Sequence, residues 1–220
     1  MKCKYEKLNG HCHREALDNS NRGYCLLHED WNHKNEEETK EEFYREIKEG
    51  ETDFEGCILP EVNLSGKKID GFGISFYKAT IKGDINFNDA RIEGFVGFYG
   101  AKIEGSAWFS NTTIKGQLIF TRATIKGIVL LDKKTTVGEI ASFDGATMES
   151  ITIFPSVSIS YLTFKYAKIK DIRAEENACR LAKITQIRAG DREGADYHFY
   201  REMVAKRKQR KENAIKKLFK

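Results

Sequence analysis

Ile74-Ser75-Phe76-Tyr77-Lys78-Ala79-Thr80-Ile81-Lys82-Gly83-Asp84-Ile85-Asn86-Phe87-Asn88-Asp89-Ala90-Arg91-Ile92-Glu93-Gly94 carries one pattern twice. A phenylalanine at Phe76 recurs eleven residues later at Phe87, and an isoleucine follows each, at Ile81 and Ile92. Extended outward, the first ladder reads Phe76, Phe87, Phe98, Phe109, Phe120, Leu131, Phe143, Phe154 and Phe164. The second reads Ile81, Ile92, Ile103, Ile114, Ile125, Met148, Ile159 and Ile169. Repetition this regular decides the architecture before local propensity does.

The steps between the ladders alternate five and six, and two residues before most rungs stands another small or apolar residue, as in Ile74-x-Phe76, Ala79-x-Ile81 and Ile85-x-Phe87. Two inward residues flanking one outward residue make a very short strand. Lys82-Gly83, Glu93-Gly94, Glu104-Gly105, Lys115-Gly116 and Lys126-Gly127 are expected to turn the corners, with glycine supplying the φ values of tight turns. A chain doing this at constant spacing coils about an axis, and only the stacking of coils buries a core. Every rung therefore reads as packing. At Lys133-Lys134-Thr135-Thr136-Val137-Gly138 the pattern slips, placing Lys134 and Thr136 inward. A one-residue bulge is expected there, with Val137 in the isoleucine place and Ile140 and Phe143 restoring register. A protruding basic loop is the alternative.

The repeat resembles the pentapeptide-repeat proteins, whose unit is a small residue, a polar residue, a central Leu or Phe and two turn residues. Ala79-Thr80-Ile81-Lys82-Gly83, Ala101-Lys102-Ile103-Glu104-Gly105 and Val62-Asn63-Leu64-Ser65-Gly66 carry the resemblance, which covers residues 57–170. It implies a mainly β fold: a right-handed quadrilateral β-helix of about five coils. Some members of the family modulate topoisomerases by mimicking DNA, which needs an acidic rod. Residues 57–170 instead hold fourteen Lys/Arg against ten Asp/Glu.

Residues 1–34 form the second region. Cys3, Cys12, Cys25 and His28 are spaced C-x8-C-x12-C-x2-H, and three thiolates with one imidazole suit a tetrahedral Zn²⁺. Four protein ligands close the coordination sphere, so the expected role is structural, with metal binding supplying folding energy that so apolar-poor a segment lacks. His11 or His13 in place of one ligand is left open by the spacing. The segment also looks like the small CCCH zinc element that precedes pentapeptide repeats in some microbial proteins. Residues 35–50 read as a helix with Asn35 as cap, an acidic first turn, Gly50 as stop and an apolar side of Phe43, Ile47 and Tyr44. Knuckle and helix together are candidates to cover the raw edge of the first coil, the alternative being a solvated linker helix.

Residues 171–220 switch to helical period. Ala174, Ala178, Leu181, Ala182 and Ile184 or Thr185 define one face; after Gly190, Asp191 caps a second helix running through Ala195, Phe199 and Met203 toward Ala214 and Leu218. The stretch resembles the helical segment that follows pentapeptide repeats in a group of archaeal and bacterial proteins. Cys179 is expected in the helix interface, and Tyr197, Tyr200 and Met203 could pair two copies in a homodimer. The end is basic, from Lys206-Arg207-Lys208-Gln209-Arg210-Lys211 to Lys216-Lys217-Leu218-Phe219-Lys220, which suits phosphate-rich partners or a solvated helix end.

No apolar run approaches the roughly 18 residues that span a bilayer, and the N-terminus lacks the apolar core of a signal peptide. With five cysteines, an odd count, the chain is expected in the reducing cytoplasm with metal-bound or free thiols. No nucleophile–base arrangement, phosphate loop or carboxylate pair stands out. The expectation is a non-catalytic scaffold with structural Zn²⁺ whose partner is a protein or ribonucleoprotein complex. The alternative is nucleic-acid binding through the basic solenoid and tail.

Overall fold

In the computed structural model of the chain, residues 1–8, 10–132, 134–154 and 156–218 are described. Lys133 of the basic hexapeptide and Phe219 and Lys220 of the tail lie outside them. The repeat coils as a β-solenoid of about five turns, from the strand Ile58–Leu59 to the strand Lys168–Ile169. One full coil takes two eleven-residue units and contributes four short strands, each parallel and in register with those of the coils on either side. Val96 thus pairs with Ile74 on one side and Leu118 on the other, and Ile103 with Ile81 and Ile125. From residue 124 onward the strands lengthen, as in Thr124–Leu131 and Thr136–Ser142, and run around a corner with register shifts at Ile125/Ile128 and Val137/Ile140.

Residues one coil apart stack. Phe54, Phe76, Phe98, Phe120, Phe143 and Phe164 form one column, with successive ring centroids 5.7, 5.1, 4.8, 5.2 and 4.9 Å apart. Phe87 and Phe109 begin a second column, 5.3 Å apart, and meet Phe98 and Phe120 edge-on. The offset and edge-to-face contacts preferred by aromatic rings thus run both along and across the axis.

The corners correct one expectation. Gly83, Gly94, Gly105, Gly116 and Gly127 do not adopt positive φ; those values fall two residues after the phenylalanine rungs, at Lys78, Asp89, Asn111, Arg122 and Tyr166. The glycines answer to space instead. A Cβ on Gly94 would lie 1.8 Å from the Phe72 carbonyl oxygen of the previous coil, and one on Gly138 2.1 Å from that of Lys115. Backbone approaches backbone there, and no side chain fits.

The slip near Lys134 resolves largely as read. Val137 pairs with Ile114, and Thr135 rather than Lys134 turns inward, its hydroxyl bonded to the Phe109 carbonyl as Thr112 bonds to Phe87. Lys134 is exposed, Thr136 is half-buried, and Ile140 is 37% exposed because Ala141 takes the inward place opposite Leu118. Phe143 is buried, whereas the expected rung Phe154 falls out of register: Ile151 and Ile153 stand opposite Val129 and Leu131, and Phe154, one residue further on, is half-buried.

Three helices close the ends. α1 (Glu36–Glu49) starts where the Asn35 side chain accepts the Glu38 N–H and ends at Gly50, φ 92°. Its Phe43 meets Phe54 edge-on at 4.7 Å, sealing the aromatic column. At the far end α2 (Ile172–Arg188) and α3 (Arg192–Leu218) pack on the last coil. Of the candidate inward residues of α2, Ala174, Ala178, Ala182 and Thr185 are buried, while Ile184 is exposed. α3 departs from the expected face: Phe199 is 50% exposed and Met203 half-buried, while Gly194, Ala195, His198, Glu202 and Ala205 are buried. No described helix is long and apolar enough to cross a membrane.

Candidate metal centre

Cys3, Cys12, Cys25 and His28 come together at the N-terminal end of the solenoid, each 2–3% exposed, with their ligand atoms all within 4.8 Å of one another. Two local structures do this. The antiparallel pair Glu6–Lys7 and Gly10–His11 folds the chain back so that the Cys12 N–H bonds the Tyr5 carbonyl at 3.0 Å. A single helical turn, with the His28 N–H on the Cys25 carbonyl at 3.0 Å, puts Cys25 and His28 on one side. The Cys25 N–H then donates to Cys3 Sγ at 3.1 Å.

The spacings fit a tetrahedral metal. His28 Nδ1 lies 3.2 Å from Cys25 Sγ and 3.6 Å from Cys3 Sγ, and Cys12 and Cys25 Sγ are 3.9 Å apart. With metal–sulfur bonds of about 2.3 Å, a tetrahedron has edges of about 3.8 Å. Among the described residues this cluster could hold a metal ion. His11 and His13 are exposed and stand outside it, His13 Nε2 lying 3.2 Å from Glu51.

Surrounding groups orient the cluster. His28 Nε2 donates to the Glu55 carbonyl at 2.8 Å, which fixes the tautomer and leaves Nδ1 facing the cysteine sulfurs. The Tyr5 ring stacks on the imidazole at 4.0 Å and 9°. Gly56 makes room for it: a Cβ there would lie 1.8 Å from Tyr5 Oη, and φ is +66°. Burial would lower the His28 pKa, but the Cys12 and Cys57 sulfurs outweigh it and carry it up to about 11. Cys12 and Cys25 titrate as a pair, and the hydrogen bond between them lowers Cys12 while it raises Cys25.

The sequence reading missed several residues of this shell. Arg14 places Nη1 3.7 Å from Cys12 Sγ and forms a buried ion pair with Glu46 of α1, Nε to Oε1 at 2.7 Å. Its position two residues after Cys12 was the available signal. Cys57 is buried with Sγ 3.6 Å from His28 Nε2, on the side of the ring away from the other three sulfurs. The pair Cys57-x-Leu59 fills the small-residue place of the coil, as Ala79-x-Ile81 does one turn later. Lys34 ties module to solenoid by donating to the carbonyls of Leu26, Leu27 and Ile58, and burial lowers its pKa to about 8. The Ile58 N–H bonds the Leu27 carbonyl at 2.7 Å, so the knuckle itself borders the first coil.

A family model described as pentapeptide repeats (9 copies) matches residues 76–124. No curated protein and no solved structure matches the chain. Residues 76–124 are pentapeptide repeats, and the solenoid they belong to carries a buried cysteine–histidine cluster compatible with zinc at its N-terminal end.

Proposed function

We propose that this protein is a non-catalytic interaction scaffold, its N-terminal module held by structural Zn²⁺ on Cys3, Cys12, Cys25 and His28. The observation that carries the reading is the pairing of a side-chain-filled solenoid interior with a cluster whose four ligands are all buried. Neither leaves a place for a substrate, so binding falls to the outer faces and the ends. Three thiolates and an imidazole select zinc over harder ions, and they require reduced cysteines, in keeping with the cytoplasm.

The outer faces favour a protein partner over mimicry of DNA. Carboxylates along the coils are matched by lysines one coil away: Lys115 with Glu93 at 2.6 Å, Lys82 and Lys126 with Glu104 at 3.1 and 3.7 Å, and Lys170 with Glu149 at 2.7 Å. Such interleaving breaks up an acidic rod. A second reading has its own observation: Arg207, Lys208, Arg210 and Lys211 are exposed on α3, which suits phosphate.

Affinity capture from native lysate with the full-length chain, at low and high salt, tests both. A protein or ribonucleoprotein complex retained at high salt supports the scaffold. Recovery of nucleic acid alone, released steeply by salt, supports the tail reading in its place.

A further inference from the structure

We propose a second divalent-cation site on the N-terminal module, formed by Glu29, Asp30 and His33 and separate from the thiolate cluster. Glu29 is 3% exposed, and while its Oε1 accepts the Asp30 N–H at 2.9 Å, its Oε2 has no hydrogen-bond partner. It is the sole buried side-chain oxygen or nitrogen so placed among the described residues. The carboxylate lines a pocket of about 210 Å³ together with His33, Asn19 and Asn21. One ligand atom each from Glu29, Asp30 and His33 lies within 4.8 Å of the other two.

The backbone builds this arrangement. The turn that starts at Cys25 continues to the Glu29 N–H, bonded to the Cys25 carbonyl at 2.9 Å. A 3₁₀ turn, Trp31–His33, then brings the imidazole back, with the His33 N–H on the Asp30 carbonyl at 2.9 Å. A buried carboxylate oxygen without a partner is costly, and proteins retain such groups where an ion or water completes them. Asp30 is shared with Arg22 through contacts of 3.2 and 3.3 Å, a pair that solvent screens, the side chains being 38% and 59% exposed. Two carboxylates, one imidazole and flanking carboxamides, with no sulfur, form a hard-to-borderline donor set that suits Mn²⁺ and differs from the thiolates beside it.

Titration of the full-length protein with Mn²⁺ alone, followed by loss of the free-ion paramagnetic resonance signal, tests this. The expected result is one saturable Mn²⁺ per chain, weakened about tenfold or more by Glu29→Gln and by His33→Ala. His33 is exposed, so its variant keeps the fold even if Glu29→Gln does not. Absence of saturable binding, or binding that survives His33→Ala unchanged, overturns the site. Because the thiolates take no part, their metal content is measured separately and either result stands without the other.

Discussion

His198 Nε2 accepts the Phe164 N–H at 3.0 Å, and its ring meets the Phe164 ring edge-on at 6.5 Å. In earlier coils that N–H bonds the next coil: Phe98 to the Ile119 carbonyl, Phe120 to Ser142, Phe143 to Thr163. At the last coil there is no next carbonyl, and an imidazole takes its place. Neighbouring edge groups are met the same way. The Leu162 N–H goes to Thr185 Oγ1, the Leu162 carbonyl to Gln186, the Phe164 and Ala167 carbonyls to Arg201, and the Tyr166 N–H to the Tyr197 hydroxyl. The helices thus end the sheet by supplying side-chain partners to its open edge.

Replacing His198 with Ala leaves the Phe164 N–H buried and unpaired, and should cost about 1–3 kcal/mol in chemical denaturation. The effect depends on pH. Acceptance at Nε2 requires the neutral ring, whose Nδ1 faces the Gln186 amide oxygen and the Gly194 carbonyl. Burial lowers the His198 pKa, with Arg201 and Lys165 adding to the lowering and the Gly194 carbonyl and Asp144 opposing it. The unfolded chain therefore takes up the proton first as pH falls, so this stabilisation is complete above about pH 6.5 and declines below it. His198→Gln should lose less stability on mild acidification than the wild type; equal losses would show that His198 does not contribute.

Phe98 stacks between Phe76 and Phe120 and meets Phe87 edge-on. Phe98→Ala should cost about 3–5 kcal/mol, the range for a buried aromatic. Phe154→Ala, one residue past the rung that Ile153 fills and half-buried, should cost less; thermal melts of the two variants give the order.

Arg14 and Glu46 form an ion pair whose side chains are 5% and 7% exposed. Arg14→Met strands a buried carboxylate and should destabilise by about 3–5 kcal/mol, whereas Arg14→Met with Glu46→Leu should recover most of that loss. Additive losses in the double variant would mean that the two side chains act independently.

Chelation should loosen the N-terminal module before the solenoid. Amide exchange should rise first in residues 1–34 and at Ile58, whose N–H rests on Leu27, while the Phe76–Phe143 coils stay protected. Uniform deprotection along the chain would place the metal's contribution elsewhere.

The solenoid was legible because its information is periodic: the spacing of Phe76, Phe98 and Phe120 is the spacing of the coils. Asn35 and Gly50 were equally readable, being local to the helix they bound. What escaped lies where periodicity stops. His198 and Glu202 face inward on α3 because an open strand edge and the α2–α3 contact call for polar partners, which an apolar periodicity does not mark. Phe154 keeps the spacing of the ladder in sequence, yet the lengthened strands shift the register so that Ile153 takes the place opposite Leu131. The glycines were read as turn formers because sequence shows the corner and not the neighbouring backbone pressed against it. At the candidate metal centre the C-x8-C-x12-C-x2-H spacing already named Cys3, Cys12, Cys25 and His28, whereas the exposure of His11 and His13 and the nearby Glu55 carbonyl and Arg14 are visible only in the fold.

The most direct measurement is zinc K-edge absorption on the protein purified under reducing conditions, with metal content determined on the same sample. The account predicts one zinc per chain with about three sulfur neighbours near 2.3 Å and one nitrogen near 2.0–2.1 Å. Absence of stoichiometric zinc, or a shell containing water or carboxylate oxygen in place of one of these four ligands, would contradict it.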